Sequence, residues 1–334
     1  MDEGQQRVGV LAEVLQLLRE MGADPVGVAA KAGLPLEILR HEENSITFGE
    51  RDRLYQACVE ETGCSHFGLL IGQRGGTARL GLVGRLMQNA PTFGEAIRDL
   101  VTYHHRYIRG AVVYLLVRGD TAFWGYAVYQ PDVKAIDQMC DVAMAAGFNM
   151  VRELSGSTPD EVLLGRKAPA DAGPYRRYYG MTPRFDAEQY ALVLPTSCLN
   201  IPVPGSDPQL RRRLEQTVAG YWATREPTIA ERVVRLIRPT LMSGEATLEE
   251  VAEGLAMHPR TLNRRLSEEG VSFRQLTNDT RFEISRQMLQ STRVSVTEIG
   301  LALGYADASA FTHAFRRSAG MTPTEWRKQF QHTR

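Results

Sequence analysis

One supersecondary unit occurs twice between residues 247 and 320, and the two copies agree in cap, apolar stripe, break and stop. In the first copy Thr247 stands three residues before Glu250, the spacing of a capping box, ahead of a stripe of Leu248, Val251, Ala252 and Leu255. A break at Ala256-Met257-His258 follows. Pro259 then opens a second helix that buries Leu262 and Leu266 and stops at Gly270. The second copy repeats this order with Ser295 and Glu298, the stripe Val296, Ile299, Gly300 and Leu303, a break at Gly304-Tyr305, buried Phe311 and Phe315, and a stop at Gly320. Each first helix carries a small residue at its middle, Ala252 or Gly300, where a second helix must cross closely. That is the packing demand of a helix-turn-helix.

Between the copies, Ser272 to about Thr292 reads as one long helix with Phe273, Leu276, Ile284, Met288 and Leu289 apolar. About twenty residues at ~1.5 Å each span ~30 Å, near the ~34 Å between successive major grooves on one face of B-DNA. The spacing therefore predicts two recognition helices carried by one connector into adjacent grooves. On the first of them Arg260, Asn263 and Arg264 share the face opposite Leu262 and Leu266, with Thr261 beside them. Arginine can clasp guanine O6 and N7, and asparagine adenine N6 and N7, so this face is the candidate for reading bases; the other reading is a merely solvated charged face. The second helix offers Ser309, Thr312 and His313, whose shorter reach predicts looser base reading. Arg316 and Arg317 are candidates for phosphate, together with backbone N–H groups at the helix start.

The charge balance runs against this expectation, because Lys plus Arg and Asp plus Glu each number 39 and the pI is about 7.1. Neutralising phosphates supplies most non-specific DNA affinity, so a neutral chain must cluster its arginines locally. A length of 334 residues suggests two domains. We expect an α+β chain: a mixed α/β regulatory domain over 1–205, a linker helix over 206–226, and an all-α double helix-turn-helix domain over 227–334.

Before residue 109 the pattern is mostly helical, starting with Val10, Leu11, Val14, Leu15 and Leu18 on one stripe, with helices around Phe48 to Glu61 and from Thr92 to Tyr107. Gly75, Gly76, Gly81 and Gly84 mark a flexible or tightly turned stretch. Ala111 to Arg118 and Ala122 to Tyr129 read as a hairpin across Gly119-Asp120. A helix from Val133 to Leu154, strands at Glu161 to Leu164 and Tyr190 to Leu194, and a helix from Asp207 to Ala223 follow; Leu210, Leu214, Val218 and Trp222 line the last helix, which Pro227 ends. Antiparallel pairing is expected, because crossover helices do not separate the strands regularly. No run of about 18 uncharged apolar residues occurs and Met1-Asp2-Glu3 lacks the order of a secretion signal, which points to the cytoplasm and away from a membrane. Cys58, Cys64, Cys140 and Cys198 are scattered and expected to be buried free thiols.

Residues 227–330 resemble the AraC/XylS family of transcription regulators. The resemblance rests on Pro259-Arg260-Thr261-Leu262-Asn263-Arg264-Arg265-Leu266, Arg281, Ile299, Gly304-Tyr305-Ala306-Asp307, Phe311, Phe315-Arg316-Arg317 and Gly320-Met321-Thr322-Pro323 before Trp326-Arg327. The chain departs from that pattern at Ala256 for a turn glycine, His258 for a serine cap, and Gly300 and Ser285 for alanines. Loss of the serine cap is expected to cost about 1 kcal/mol at that helix start. Arg281 has two readings, a DNA contact or a structural arginine paired with Asp279 or Glu283. The amino-terminal half resembles the arabinose-binding-like subgroup that includes ornithine-utilisation regulators, through Ala90-Pro91-Thr92, the run Tyr175 to Tyr179 with Gly180, and Phe185-Asp186. The resemblance implies promoter DNA, a small-molecule effector and RNA polymerase as partners, with a homodimer as a further expectation.

Tyr103, His105, Trp124 and Tyr126, near His104, are the candidates for lining an effector pocket. No cofactor is expected; His105 lacks a second histidine or cysteine at a metal-ligand spacing, so haem or metal ligation stands behind a core or surface role. An amino-terminal half that only dimerises is the alternative to sensing. An enzyme tethered to a DNA-binding half is a third reading, without a Gly-x-Ser-x-Gly elbow or Walker loop to support it.

Overall fold

A computed structural model describes residues 5–107, 110–128, 130, 133–221, 228–241, 246–255 and 257–330. Tyr129, Trp222, Ala223, Pro227, Ala256 and the side chain of His105, all named above, lie outside the described residues. The chain runs β1 (Gln5–Arg7), α1 (Val14–Glu20), α2 (Pro25–Ala32), β2 (Ser45–Thr47), α3 (Phe48–Thr62), α4 (Phe67–Gly72), α5 (Gly81–Gln88) and α6 (Phe93–Tyr107). The hairpin β3 (Ala111–Arg118) and β4 (Thr121–Val128) follows, then α7 (Ile136–Ser155), β5 (Glu161–Leu163), α8 (Gly173–Tyr179) and β6 (Tyr190–Pro195). The remainder is helical: α9 (Pro208–Tyr221), α10 (Ile229–Leu241), α11 (Leu248–Gly254), α12 (Pro259–Glu268), α13 (Phe273–Ser291), α14 (Val296–Ala302), α15 (Ala308–Ala319) and α16 (Pro323–Phe330).

Strands β3 to β6 form one antiparallel sheet in the order β3-β4-β6-β5. Along β3 and β4 successive side chains alternate between its faces, yet nearly all are buried, because both faces are covered. Leu115, Trp124 and Tyr126 join Leu192 and Leu194 on the inner face, in the core with α6 and α7. Val112, Tyr114, Leu116 and Ala127 point the other way and share a core with Val233 and Ile237 of α10 and Ile284 and Met288 of α13. Tyr114 lies over Gly125, its cross-strand partner, where a Cβ would meet the tyrosine ring at 2.1 Å. Its hydroxyl donates to Gln189 Oε1 at 3.0 Å.

The opening residues depart from the helical expectation. Gln5–Arg7 pairs antiparallel with Ser45–Thr47, and Gly9–Glu13 forms a 3-10 turn before α1. The glycine-rich stretch is tightly turned and close-packed: a Cβ on Gly84 would lie 1.8 Å from the Thr77 carbonyl, and one on Gly75 2.7 Å from Ala146 Cβ. Gly68 and Gly72 likewise let α4 lie directly on the backbone of α7. The four cysteines are buried thiols outside any disulfide, and burial pushes the Cys58 thiol up to about 12.

Helix α9 is fixed to the amino-terminal half by Leu214 and Val218 against Leu86, and by Arg211, which pairs with Asp99 of α6 at 2.9 Å. Burial raises the Asp99 carboxyl to about 6 against the opposing pull of Arg211. The folded state therefore holds this proton more tightly than the unfolded chain, and the associated stability is complete below the ordinary carboxylate value and lost as pH rises through about 6. Relative to Asp99→Asn, the native chain is thus expected to be most favoured near pH 4 and to lose that margin by pH 7; urea titrations of both proteins across this range check the sign. A margin that grows with pH would contradict it. Gly300→Val, which adds bulk where a Cβ already meets Phe311 at 2.8 Å, is expected to destabilise the chain by about 1–3 kcal/mol in the same assay.

Candidate nucleic-acid interface

Both helix-turn-helix units are built by the caps that the sequence signals. Thr247 accepts from the Glu250 N–H at 3.2 Å while Glu250 accepts from the Thr247 N–H at 3.1 Å, and Ser295 and Glu298 repeat the pair. Ala252 is fully buried, and Gly300 packs against the Phe311 side chain, so each second helix crosses its first at close range. Behind α15, Phe282, Phe315 and Trp326 form an aromatic cluster with ring centroids 5.2–6.4 Å apart.

The start of α12 corrects one expectation. His258 takes over the cap that a serine would supply: its Nδ1 accepts from the Arg260 N–H at 3.2 Å. This acceptor requires the nitrogen to be unprotonated, and the predicted loss of a cap does not follow. Beyond it Arg260, Asn263 and Arg264 are exposed and Thr261 is half-buried. Arg264 is held by Glu268 one turn on at 2.8 Å, with the two side chains 67% and 57% exposed. A solvated pair at this spacing is worth a few tenths of a kcal/mol, too little to keep the guanidinium from a base or phosphate.

On α15 Ser309 and His313 are exposed and Thr312 is half-buried. Asp307 caps this helix, accepting from the Ala310 N–H at 2.7 Å. Arg316 and Arg317, also exposed, lie in its last turns, eight and nine residues past the start, or ~12 Å along the axis. Arg281 makes no ion pair with Asp279 or Glu283 among the described residues. Its guanidinium lies 5.3 Å from the centre of the Tyr305 ring, while Glu283 pairs with Arg286 at 2.9 Å.

Sequence reasoning missed the contacts that tie the second unit to the sheet. Arg118 at the end of β3 donates to Glu298 Oε1 at 2.6 Å, the same carboxylate whose other oxygen caps α14. The Arg293 N–H donates to the Glu188 carbonyl at 2.7 Å, and its guanidinium to the Ala187 carbonyl at 2.8 Å and to Asp186. Neither arginine carries a local motif, because each partner is more than 100 residues away.

The structure divides the aromatic candidates of the amino-terminal half. Trp124 and Tyr126 are both buried on the inner face of β4, Trp124 edge-on to Phe93 at 6.1 Å and Tyr126 edge-on to His104 at 5.7 Å. Tyr103 packs toward Leu86, Leu214 and Val218 under α9. Two surface clefts open elsewhere, one beside Gly156, Pro195 and Cys198 and another beside Asn149 and Arg152.

Comparison with known proteins agrees with this geometry. The family model described as the arabinose-binding domain of AraC transcription regulators matches residues 22–203, and a helix-turn-helix domain model matches 251–329. The chain is 31% identical over 317 residues to the HTH-type transcriptional regulator VirS of Mycobacterium tuberculosis, covering 93% of both chains. It is 25% identical over 329 residues to the ornithine utilization regulator of Pseudomonas aeruginosa, covering 94% of both. Among solved structures, the transcriptional regulator CdpR of Pseudomonas aeruginosa is 24% identical with a TM-score of 0.44, covering 91% of this chain and 96% of that one. With two capped helix-turn-helix units behind a sheet-bearing half, and matches running through both, the chain belongs to the AraC family of sequence-specific, DNA-binding transcription regulators.

Proposed function

We propose that residues 1–205 bind a small-molecule effector, that 206–226 link, and that 227–334 read promoter DNA through Arg260, Thr261, Asn263 and Arg264 on α12 and Ser309, Thr312 and His313 on α15. Arg316 and Arg317 serve phosphates. One observation carries the reading: the DNA-facing candidates on α12 and α15 are largely solvent-exposed while the same helical half is docked, through α10, α13 and α14, on the outer face of β3 and β4. A change in the amino-terminal core can then act on the spacing or mobility of the two reading helices without having to uncover them. Promoter DNA, the effector and RNA polymerase at the bound promoter are the partners, and the cytoplasm is the place of action. No helix among the described residues is long and apolar enough to cross a membrane.

Arg264→Ala is expected to weaken binding to the cognate promoter by about 1–3 kcal/mol and to relax discrimination at one base position. Gel-shift titration at fixed salt on sites recovered by genomic mapping measures both, and unchanged affinity and specificity would remove Arg264 from the reading face. Combined Arg118→Ala and Arg293→Ala substitution is expected to loosen the docking and split thermal unfolding into two calorimetric transitions. A single transition at the original temperature would show that the apolar contacts alone couple the halves.

A further inference from the structure

Arg51 of α3 is 5% exposed and lies among groups that bear no negative charge. Its Nη1 donates to Gln6 Oε1 at 2.6 Å, and its guanidinium carbon lies 5.7 Å from the centre of the Tyr55 ring. Tyr126 of β4 and Cys140 of α7 are its other close titratable neighbours, and both types are neutral at physiological pH. The adjacent acid is engaged elsewhere: Asp52 accepts from the N–H groups of Lys134 and Ala135 at 3.0 and 2.7 Å, ahead of α7, and from Gln56 at 2.7 Å. Among the described residues no carboxylate pairs with Arg51. Arginine cannot relieve its burial by losing a proton, so the charge stays.

Two buried donors here, Arg51 Nε and Gln6 Nε2, lack a hydrogen-bond partner, and the Tyr55 hydroxyl is engaged by the Arg51 guanidinium. The hydroxyl accepts in that contact, so its own proton remains available to donate. A surplus of donors around one fixed positive charge is complementary to a monoanion with two acceptor oxygens, and the planar guanidinium fork matches a carboxylate. A phosphate dianion would leave a second charge uncompensated beside neutral tyrosines. Tyr126, buried with His104 edge-on to it, is the aromatic neighbour on this side.

We propose that Arg51, Gln6 and Tyr55 anchor the carboxylate of the effector, which is a small carboxylic acid with an apolar or aromatic body seated toward Tyr126. The proposal rests on the reading of the amino-terminal half as an effector sensor and adds the chemical class to it. An arginine buried with no carboxylate partner among the described residues is held at a cost to the unliganded protein, which binding of the acid removes.

The test is a thermal-shift titration of the full chain at constant pH and ionic strength. The probes are benzoate, phenylacetate, hexanoate and octanoate, each against its neutral amide or alcohol and against inorganic phosphate. At least one acid is expected to raise the melting temperature of the native chain, with its neutral counterpart inert. Arg51→Met is expected to abolish that shift, Arg51→Lys to retain part of it, and Arg51→Met to raise the melting temperature of the unliganded protein by about 2–4 °C, because an uncompensated buried charge is gone. A lower unliganded melting temperature in Arg51→Met, with no acid bound by the native chain, would make Arg51 a structural group and overturn the proposal. Equal binding of acids and neutral counterparts by both proteins would overturn it while leaving effector sensing intact. If an Arg51-dependent acid binds yet never alters promoter affinity, the site stands and the sensing reading fails.

Discussion

Burial of both faces of the β3–β4 hairpin is the constraint on which the rest of the molecule depends. An antiparallel sheet of this size ordinarily packs one face and wets the other. Here Leu115 and Trp124 serve the core under α6 and α7, while Val112, Tyr114 and Leu116 serve a second core built by the carboxy-terminal helices. Two hydrophobic clusters are thereby separated by a single layer of backbone. Any rearrangement of the inner core that tilts these strands is transmitted to α10, α13 and α14, because close-packed interiors respond by shifting and not by yielding.

Polar contacts set the geometry that the apolar contact leaves open. Glu298 holds the start of α14 with one oxygen and Arg118 of β3 with the other, so the second helix-turn-helix unit is indexed to the strand that its neighbours cover. Arg293 does the same to the carbonyls of Ala187 and Glu188 just before β6. Each contact is modest in a partly solvated setting. Their value lies in registry: both act at the start of α14. Among the described residues the exposed face of α12 carries no comparable tie, only a solvated pair between Arg264 and Glu268.

The neutral charge balance ceases to be an objection once placement is considered. On α12 and α15 the exposed side chains include Arg260, Arg264, Arg316 and Arg317, whereas many acids are spent on internal work. Glu250 and Glu298 cap helices, Asp52 accepts backbone N–H groups, and Asp141 is buried with Arg166 and with the Tyr175 hydroxyl at 2.6 Å. Phosphate responds to the local surface, within about a Debye length, more than to the sum over the chain.

The carboxy-terminal helices were legible because their information is local. Caps at Thr247 and Ser295, glycine stops at Gly270 and Gly320, and the 3.6-residue stripe lie within one or two turns of the structures they specify. The hairpin around Gly119-Asp120 and the antiparallel pairing were legible for the same reason. The pairing of Gln5–Arg7 with Ser45–Thr47, the cap from His258, the seat of Arg281 on Tyr305 and the isolation of Arg51 were not. An imidazole can cap only where the backbone presents an N–H to the correct nitrogen, and the neighbours of a buried arginine are set by the packing of distant elements. By itself, then, the sequence determined the two helix-turn-helix units and the connector between them, through signals a few residues apart; the tertiary structure alone decided how those units are docked on the sheet and which buried arginine pairs with no carboxylate among the described residues, because both are sums over contacts tens to more than a hundred residues distant.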